Sequence, residues 1–198
     1  MKVLVATEKP FAKAAVDGIR EIIEKAGHEL VLLERYTDKA QLLEAVADVD
    51  AMIVRSDKVT AEVIDAAQQL KVVVRAGAGY DNLDLAKCTE RSIVAMNTPG
   101  QNSNAVAELA IAMMIYMSRN QFKPGTGMEI SGKHLGIIGF GNIGQLVAKK
   151  AVALGMEVLV YTNEVKERHK RWNTTFSKDK LYSTCNFVSV NIPATPMT

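Results

Sequence analysis

The sequence predicts an α/β protein built as two doubly wound parallel-sheet units in tandem, and three observations predict it. Short β-branched runs alternate with helix-spaced apolar patterns from the first residues onward, the mark of repeated strand–helix–strand crossovers. Pro99 and Gly100 interrupt that alternation near the middle of the 198 residues, a length that accommodates two small domains. Beyond the interruption a glycine-rich turn, GFGNIG at 139–144, follows an apolar strand pattern and opens a helix pattern.

The strand runs of the first unit are VLVAT (3–7), ELVLLE (29–34), AMIVRS (51–56), KVVVRAG (71–77) and IVAMN (93–97). Between the first two, Ala14, Ala15, Ile19, Ile22, Ile23 and Ala26 recur at helical spacing, and Gly27 stops the helix. Asp38 with Gln41 reads as a cap opening the next helix, and Thr60 with Glu62 as a cap opening the third. Residues 1–98 therefore read as one open unit of flavodoxin type.

Residues 99–198 make the second unit. A nearly all-apolar helix is expected over 103–120; such a helix must be covered, and its Met113, Met114 and Met117 read as core or subunit interface. QFKPGTGMEISG (121–132) is a connector. HLGIIG, a helix over 142–154, EVLVYT, a weak strand at 174–176, a short helix from Ser177 and FVSVNI (187–192) follow. In a sheet of order 3-2-1-4-5-6 these supply strands 1 to 4, an incomplete Rossmann domain. The apolar fourth strand would keep a bare edge, so a truncated unit is expected.

Composition narrows the function. With 24 basic against 22 acidic residues and no recurrent basic face, no nucleic-acid partner is expected. The start, MKVLVATEKPF, enters a strand without a signal-type stretch, and the longest apolar run, 105–117, contains Glu108 and falls short of the roughly 20 residues of a membrane span. Cys88 and Cys185 lack ligand spacing, which suits reduced thiols and no metal. A cytoplasmic protein without membrane contact is expected.

The glycine spacing assigns a role to each member: Gly139 for a tight turn, Gly141 for room beside a pyrophosphate, Gly144 for close helix–strand packing. Amides near Asn142 and Ile143 would face the phosphates, where an anion at a helix N-terminus gains about 0.3–1 kcal/mol. The acidic residue that usually ends the second strand and takes the ribose hydroxyls is here Thr162, with Lys166, Arg168 and Arg171 close behind. A threonine can bond a ribose hydroxyl but does not repel a 2′-phosphate, so NAD is expected with NADP tolerated. The stretch KERHKR equally reads as a solvated charged turn, and Glu164 could replace the absent carboxylate.

Several segments together resemble the D-2-hydroxyacid dehydrogenase family and, within it, the branch acting on 3-phosphoglycerate: residues 53–67, LKVVVRAGAGYDNLDL (70–85), IVAMNTPGQNSNAVAELAIAMM (93–114), residues 131–161 and the ending CNFVSVNIPATPMT. The resemblance implies a substrate-binding domain over 1–98, a hinge near 97–99, and an NAD-binding domain over 99–198 that carries homodimer contacts. It implies NAD-dependent hydride transfer at C2 of a small 2-hydroxy acid, 3-phosphoglycerate, in L-serine biosynthesis. Carried over, Arg55 and Arg75 look like phosphate-binding arginines with Ser56 beside them, the amides of Ala76 and Gly77 face the substrate carboxylate, and Ala78 lies near the nicotinamide. Gly139, Gly141, Asn142, Ile143, Gly144, Thr162, Asn191, Ile192 and Pro193 contact the cofactor. Independently of the resemblance, both arginines end predicted strands at the carboxyl edge where open α/β sheets bind ligands, and a guanidinium matches phosphate oxygens with two parallel hydrogen bonds.

The chain also departs from the pattern. The connector after Arg119 is short, Thr162 replaces an aspartate, and Asn191 stands where a histidine is common. The family's catalytic arginine, glutamate and histidine or lysine would all follow the last residue given. No catalytic residue is assigned, and His28, His134 and His169 read as surface or supporting positions. Binding with little turnover is expected. A second class stays open, a NADH-responsive interaction protein similar to the corepressors that share this fold; Arg55 and Arg75 favour the enzyme lineage, because a sensor needs no paired phosphate-binding arginines. A phospho-receiver would need an aspartate where Arg55 ends the third strand.

Overall fold

The computed structural model describes residues 1–162 and 166–192. Two compact units are present, Met1–Gln101 and Asn102–Thr198.

The first unit runs β1 (Lys2–Thr7), α1 (Lys13–Lys25), β2 (Glu29–Glu34), α2 (Lys39–Ala45), β3 (Ala51–Val54), α3 (Ala61–Ala66), β4 (Val72–Arg75), α4 (Leu85–Glu90) and β5 (Val94–Asn97). Its five strands are parallel in the order β2-β1-β3-β4-β5, the flavodoxin type. In register, Val3 faces Leu30 on one side and Ala51 on the other, and Val54 faces Arg75. Leu4, Met52, Val54 and Val73 from the strands pack with Leu42, Val63 and Ile64 from the helices. The strands read as continuous apolar runs because helices cover the sheet.

In this unit side-chain caps open α2 and α4 but not α1 or α3. Asp38 and Gln41 form the reciprocal cap of α2: the Asp38 carboxylate accepts from the Ala40 amide at 2.9 Å, and Gln41 Oε1 accepts from the Asp38 amide at 3.3 Å. Thr60 occupies the cap position of α3 without making the cap bond; its Oγ1 is instead buried, with no partner among the described residues. The expected cap there is corrected: the hydroxyl is buried and makes no cap bond. Both central strand runs also end earlier than their apolar pattern, at Val54 and Arg75, which leaves Arg55, Ser56, Ala76 and Gly77 in loops.

The second unit contains α5 (Ser103–Ser118), a 3-10 turn (Asn120–Phe122), β6 (His134–Ile138), α6 (Asn142–Ala153), β7 (Glu157–Tyr161), a 3-10 turn (Glu167–His169), β8 (Asn173–Thr175), α7 (Lys178–Thr184) and β9 (Phe187–Val190). The strands are parallel in the order β8-β7-β6-β9, matching 3-2-1-4. Ala107, Ile111 and Met114 of α5 pack against Val147, Ala148 and Ala151 of α6, small residues that let the helices approach closely. Within this chain α6 covers one face of α5 only: Leu109, Met113, Tyr116 and Met117 are exposed, so the methionine set divides into an inward Met114 and two outward members. Among the described residues no helix is long and apolar enough to cross a membrane.

Candidate functional site

In the second unit β6 lies between β7 and β9 and ends at the glycine turn. Gly139 has φ 89°, and a Cβ there would come within 2.5 Å of the Asn191 carbonyl oxygen and 2.6 Å of Ile192 Cγ2. The Asn191 amide donates to the Ile138 carbonyl at 2.7 Å, so the end of β9 walls the turn directly. Gly144 packs under the turn, where a Cβ would overlap the Gly139 carbonyl oxygen. Gly141, the N-cap of α6, differs from both: a Cβ there would meet nothing within 4 Å. Space is therefore kept above Gly141 rather than filled by the chain itself. The first-turn amides of Asn142, Ile143 and Gly144 have no acceptor among the described residues. Open donors at the positive end of a helix, over an empty glycine surface, suit a diphosphate.

Phe140, between the first two glycines, is buried edge-on against His169 at 5.4 Å and Trp172 at 5.5 Å. His169 is itself 3% exposed, and its Nδ1 accepts from the Lys166 amide at 3.1 Å. Of the two readings of His169, surface or supporting, burial excludes the first: within KERHKR the lysines and Glu167 face solvent while the imidazole turns inward onto Phe140. Thr162 follows β7 directly, half-buried, its amide donating to the Thr175 carbonyl at 3.2 Å. Glu164 and Pro193 lie outside the described residues.

In the first unit Arg55 and Ser56 are exposed just past β3, and Arg75 ends the neighbouring β4. Arg75 Nε donates to the Arg55 carbonyl at 2.9 Å. Its guanidinium passes over Gly77, where a Cβ would overlap it. The amides of Ala76 and Gly77 do not face outward: Ala76 donates to the Val54 carbonyl and Gly77 to the Arg75 carbonyl, both at 2.8 Å. That expectation is corrected by one extra rung of the β3–β4 ladder at Ala76 and by a tight turn that closes the Gly77 amide onto Arg75. The amides without an acceptor among the described residues are the next two, Ala78 and Gly79. Asn97 Nδ2 fixes this loop by donating to the Ala78 carbonyl at 2.7 Å. The Arg75 guanidinium also lies near Gly79, whose Cβ would stand 3.8 Å from its Nη1, so one cation borders the loop of the two open amides.

Sequence reasoning missed Asp57. It is 5% exposed, and its Oδ1 accepts from the Glu8 amide at 2.7 Å and the Tyr36 hydroxyl at 2.8 Å. Burial, reinforced by the Asp57 carboxylate, pushes the Tyr36 phenol well above its ordinary range. An aspartate in a loop carries no local signal of burial, because its donors come from segments 49 and 21 residues away. Of the other histidines, His28 precedes β2 and His134 begins β6, with Nε2 at 3.1 Å from Glu157. Among the described residues no group of His, Cys, Asp and Glu could hold a metal ion. Burial raises the thiols of Cys88 and Cys185 above the usual range.

The profile of the D-isomer specific 2-hydroxyacid dehydrogenases, catalytic domain, matches residues 8–182. The hydroxypyruvate reductase of Thermotoga maritima is 38% identical over 184 residues, covering 86% of this chain and 60% of that protein. A D-3-phosphoglycerate dehydrogenase of Methanocaldococcus jannaschii is 37% identical over 195 residues, covering 90% of this chain and 37% of that protein. Among solved structures, NAD+-bound 3-phosphoglycerate dehydrogenase of Entamoeba histolytica is similar with a TM-score of 0.91 and 48% identity, over 100% of this chain and 64% of that one. The chain thus spans 37% to 64% of the length of these three proteins.

Proposed function

The chain belongs to the D-isomer specific 2-hydroxyacid dehydrogenase family, and from that premise we propose that it serves the NAD-dependent interconversion of 3-phosphoglycerate and its 2-oxo acid. In this reading residues 99–198 form the NAD-binding domain and residues 1–98 the substrate-binding domain. The nicotinamide coenzyme supplies the hydride chemistry. The glycine turn receives the diphosphate on the open amides of Asn142, Ile143 and Gly144, and Thr162 bonds the ribose. Without a carboxylate at Thr162 the 2′-phosphate of NADP is tolerated. Asn191 and Ile192 hold the turn in shape from the opposite side.

The observation that carries the phosphorylated substrate is the Arg75 Nε bond to the Arg55 carbonyl, which ties the Arg55 backbone to the arginine bordering the open Ala78 and Gly79 amides. Hydrogen bonds to charged groups contribute about 1.5–3 kcal/mol each. One such bond to the phosphate is therefore enough to separate 3-phosphoglycerate from glycerate by about tenfold or more. We assign proton transfer to none of the described residues. The exposed face of α5, with Leu109, Met113, Tyr116 and Met117, supports a homodimer.

Calorimetry of the purified protein with 3-phosphoglycerate and with glycerate tests the substrate class. At least tenfold tighter binding of the phosphorylated acid is expected, and equal binding of the two overturns the reading.

A further inference from the structure

A buried carboxylate lies behind the arginine loop, and the binding scheme makes no use of it. Asp57 stands two residues past Arg55, and burying an ionised carboxylate is costly unless its oxygens find donors. The donors it finds belong to other strand ends: the Glu8 amide after β1 and the Tyr36 hydroxyl after β2 both reach Oδ1, at 2.7 and 2.8 Å. The backbone of Asp57 is held from a third direction, since Asn82 Nδ2 in the loop after β4 donates to its carbonyl at 2.8 Å.

The same two loops are joined on either side of that contact. Arg75 Nε reaches the Arg55 carbonyl at 2.9 Å. The Val59 amide donates to the Asn82 carbonyl at 2.8 Å, and the Asp84 amide to the Val59 carbonyl at 2.9 Å. Segment 55–59 is therefore laced to segment 75–84 along its backbone, while the Asp57 side chain anchors it to the ends of β1 and β2. Arg55 begins this laced segment, and its carbonyl is tied to Arg75, which leads directly into the loop of the Ala78 and Gly79 amides.

We propose that Asp57 is a positioning residue of the anion site: its carboxylate clamps segment 55–59 against the ends of β1 and β2, so that Arg55 is held beside Arg75 and the open amides. This assignment rests on the reading of that loop as the substrate site. Asp57 touches no ligand in it. One oxygen accepts both donors, so an isosteric amide that keeps this acceptor should preserve the clamp, whereas a methyl side chain removes it.

NMR-detected hydrogen exchange on wild type, D57A, D57N and Y36F tests the clamp, together with affinities for 3-phosphoglycerate and NADH. In D57A the Val59 and Asp84 amides should exchange at least tenfold faster, with the β1 amides unchanged, and 3-phosphoglycerate should bind at least tenfold more weakly while NADH affinity stays within twofold. D57N should restore both within threefold, and Y36F, which loses one of the two bonds, should fall between. Wild-type exchange at Val59 and Asp84 in D57A, or equal acceleration in β1, overturns the clamp. Should D57A fail to fold, Y36F carries the same comparison. A wild type that binds no 3-phosphoglycerate overturns the substrate reading, and the exchange data still decide whether Asp57 holds the loop.

Discussion

Gly144 lies so close beneath Gly139 that a methyl group on it would overlap the Gly139 carbonyl oxygen, whereas Gly141, between them in sequence, faces open space. The two kinds of glycine should therefore fail differently. G144A forces the helix away from the turn, an overpacking cost of about 1–3 kcal/mol that urea unfolding will register. G141A meets nothing in the chain, so its stability should equal wild type while NADH affinity falls by at least about tenfold, the equivalent of about 1.4 kcal/mol. Two variants with the same unfolding midpoint and the same NADH affinity would contradict the assignment.

Gly77 offers a similar separation in the first unit. A Cβ there meets the guanidinium of Arg75, the movable end of a flexible side chain, rather than backbone. G77A should keep its thermal midpoint, displace Arg75 and weaken 3-phosphoglycerate by about tenfold, within the range of one charge-assisted hydrogen bond. NADH affinity should not change. Undiminished 3-phosphoglycerate binding in calorimetry would remove Arg75 from the site.

Coenzyme choice should turn on Thr162. A carboxylate in its place would oppose the 2′-phosphate, and two like charges about 4 Å apart near a protein surface repel by up to about 4 kcal/mol. T162D should lower NADPH affinity at least about tenfold relative to NADH. An unchanged NADPH to NADH ratio in paired titrations would place the adenosine ribose elsewhere.

Acid stability should depend on Asp50. The Lys71 ammonium, 2.7 Å away, and then the Lys2 amide, at 2.9 Å, hold its carboxyl below the ordinary range. A value lowered by folding stabilises the protein above the ordinary carboxyl range, near pH 4, and that contribution is lost as pH falls through the folded-state value. D50N should therefore be less stable than wild type at neutral pH and converge with it as pH falls through the folded-state value of Asp50. Parallel curves of urea midpoint against pH would show that Asp50 contributes no linkage.

Much of the scaffold was legible because its signals are local. The strand order of both sheets follows from alternating strands and helices, the α2 cap from the three-residue spacing of Asp38 and Gln41, and the turn from the spacing of Gly139, Gly141 and Gly144. What escaped depends on contacts between distant segments. Asp57 is buried only because Glu8 and Tyr36 come to it, and the His169 ring packs on Phe140, far earlier in the sequence. In the loop after β4 no sequence pattern marks where the ladder with β3 stops, and Ala76 extends it by one amide, so the amides left open begin later than expected. The apolar composition of α5 likewise does not say which of its faces α6 will cover.

Trp172 is the only tryptophan in the sequence, and it lies 5.5 Å from Phe140, inside the glycine turn. Energy transfer from Trp172 to added NADH therefore reads coenzyme at that turn without any label. A saturable rise in sensitised NADH emission, lost in G141A, is the predicted result; no transfer at concentrations up to about 1 mM, the top of the usual range for enzyme substrates, would contradict a dinucleotide site at residues 139–144.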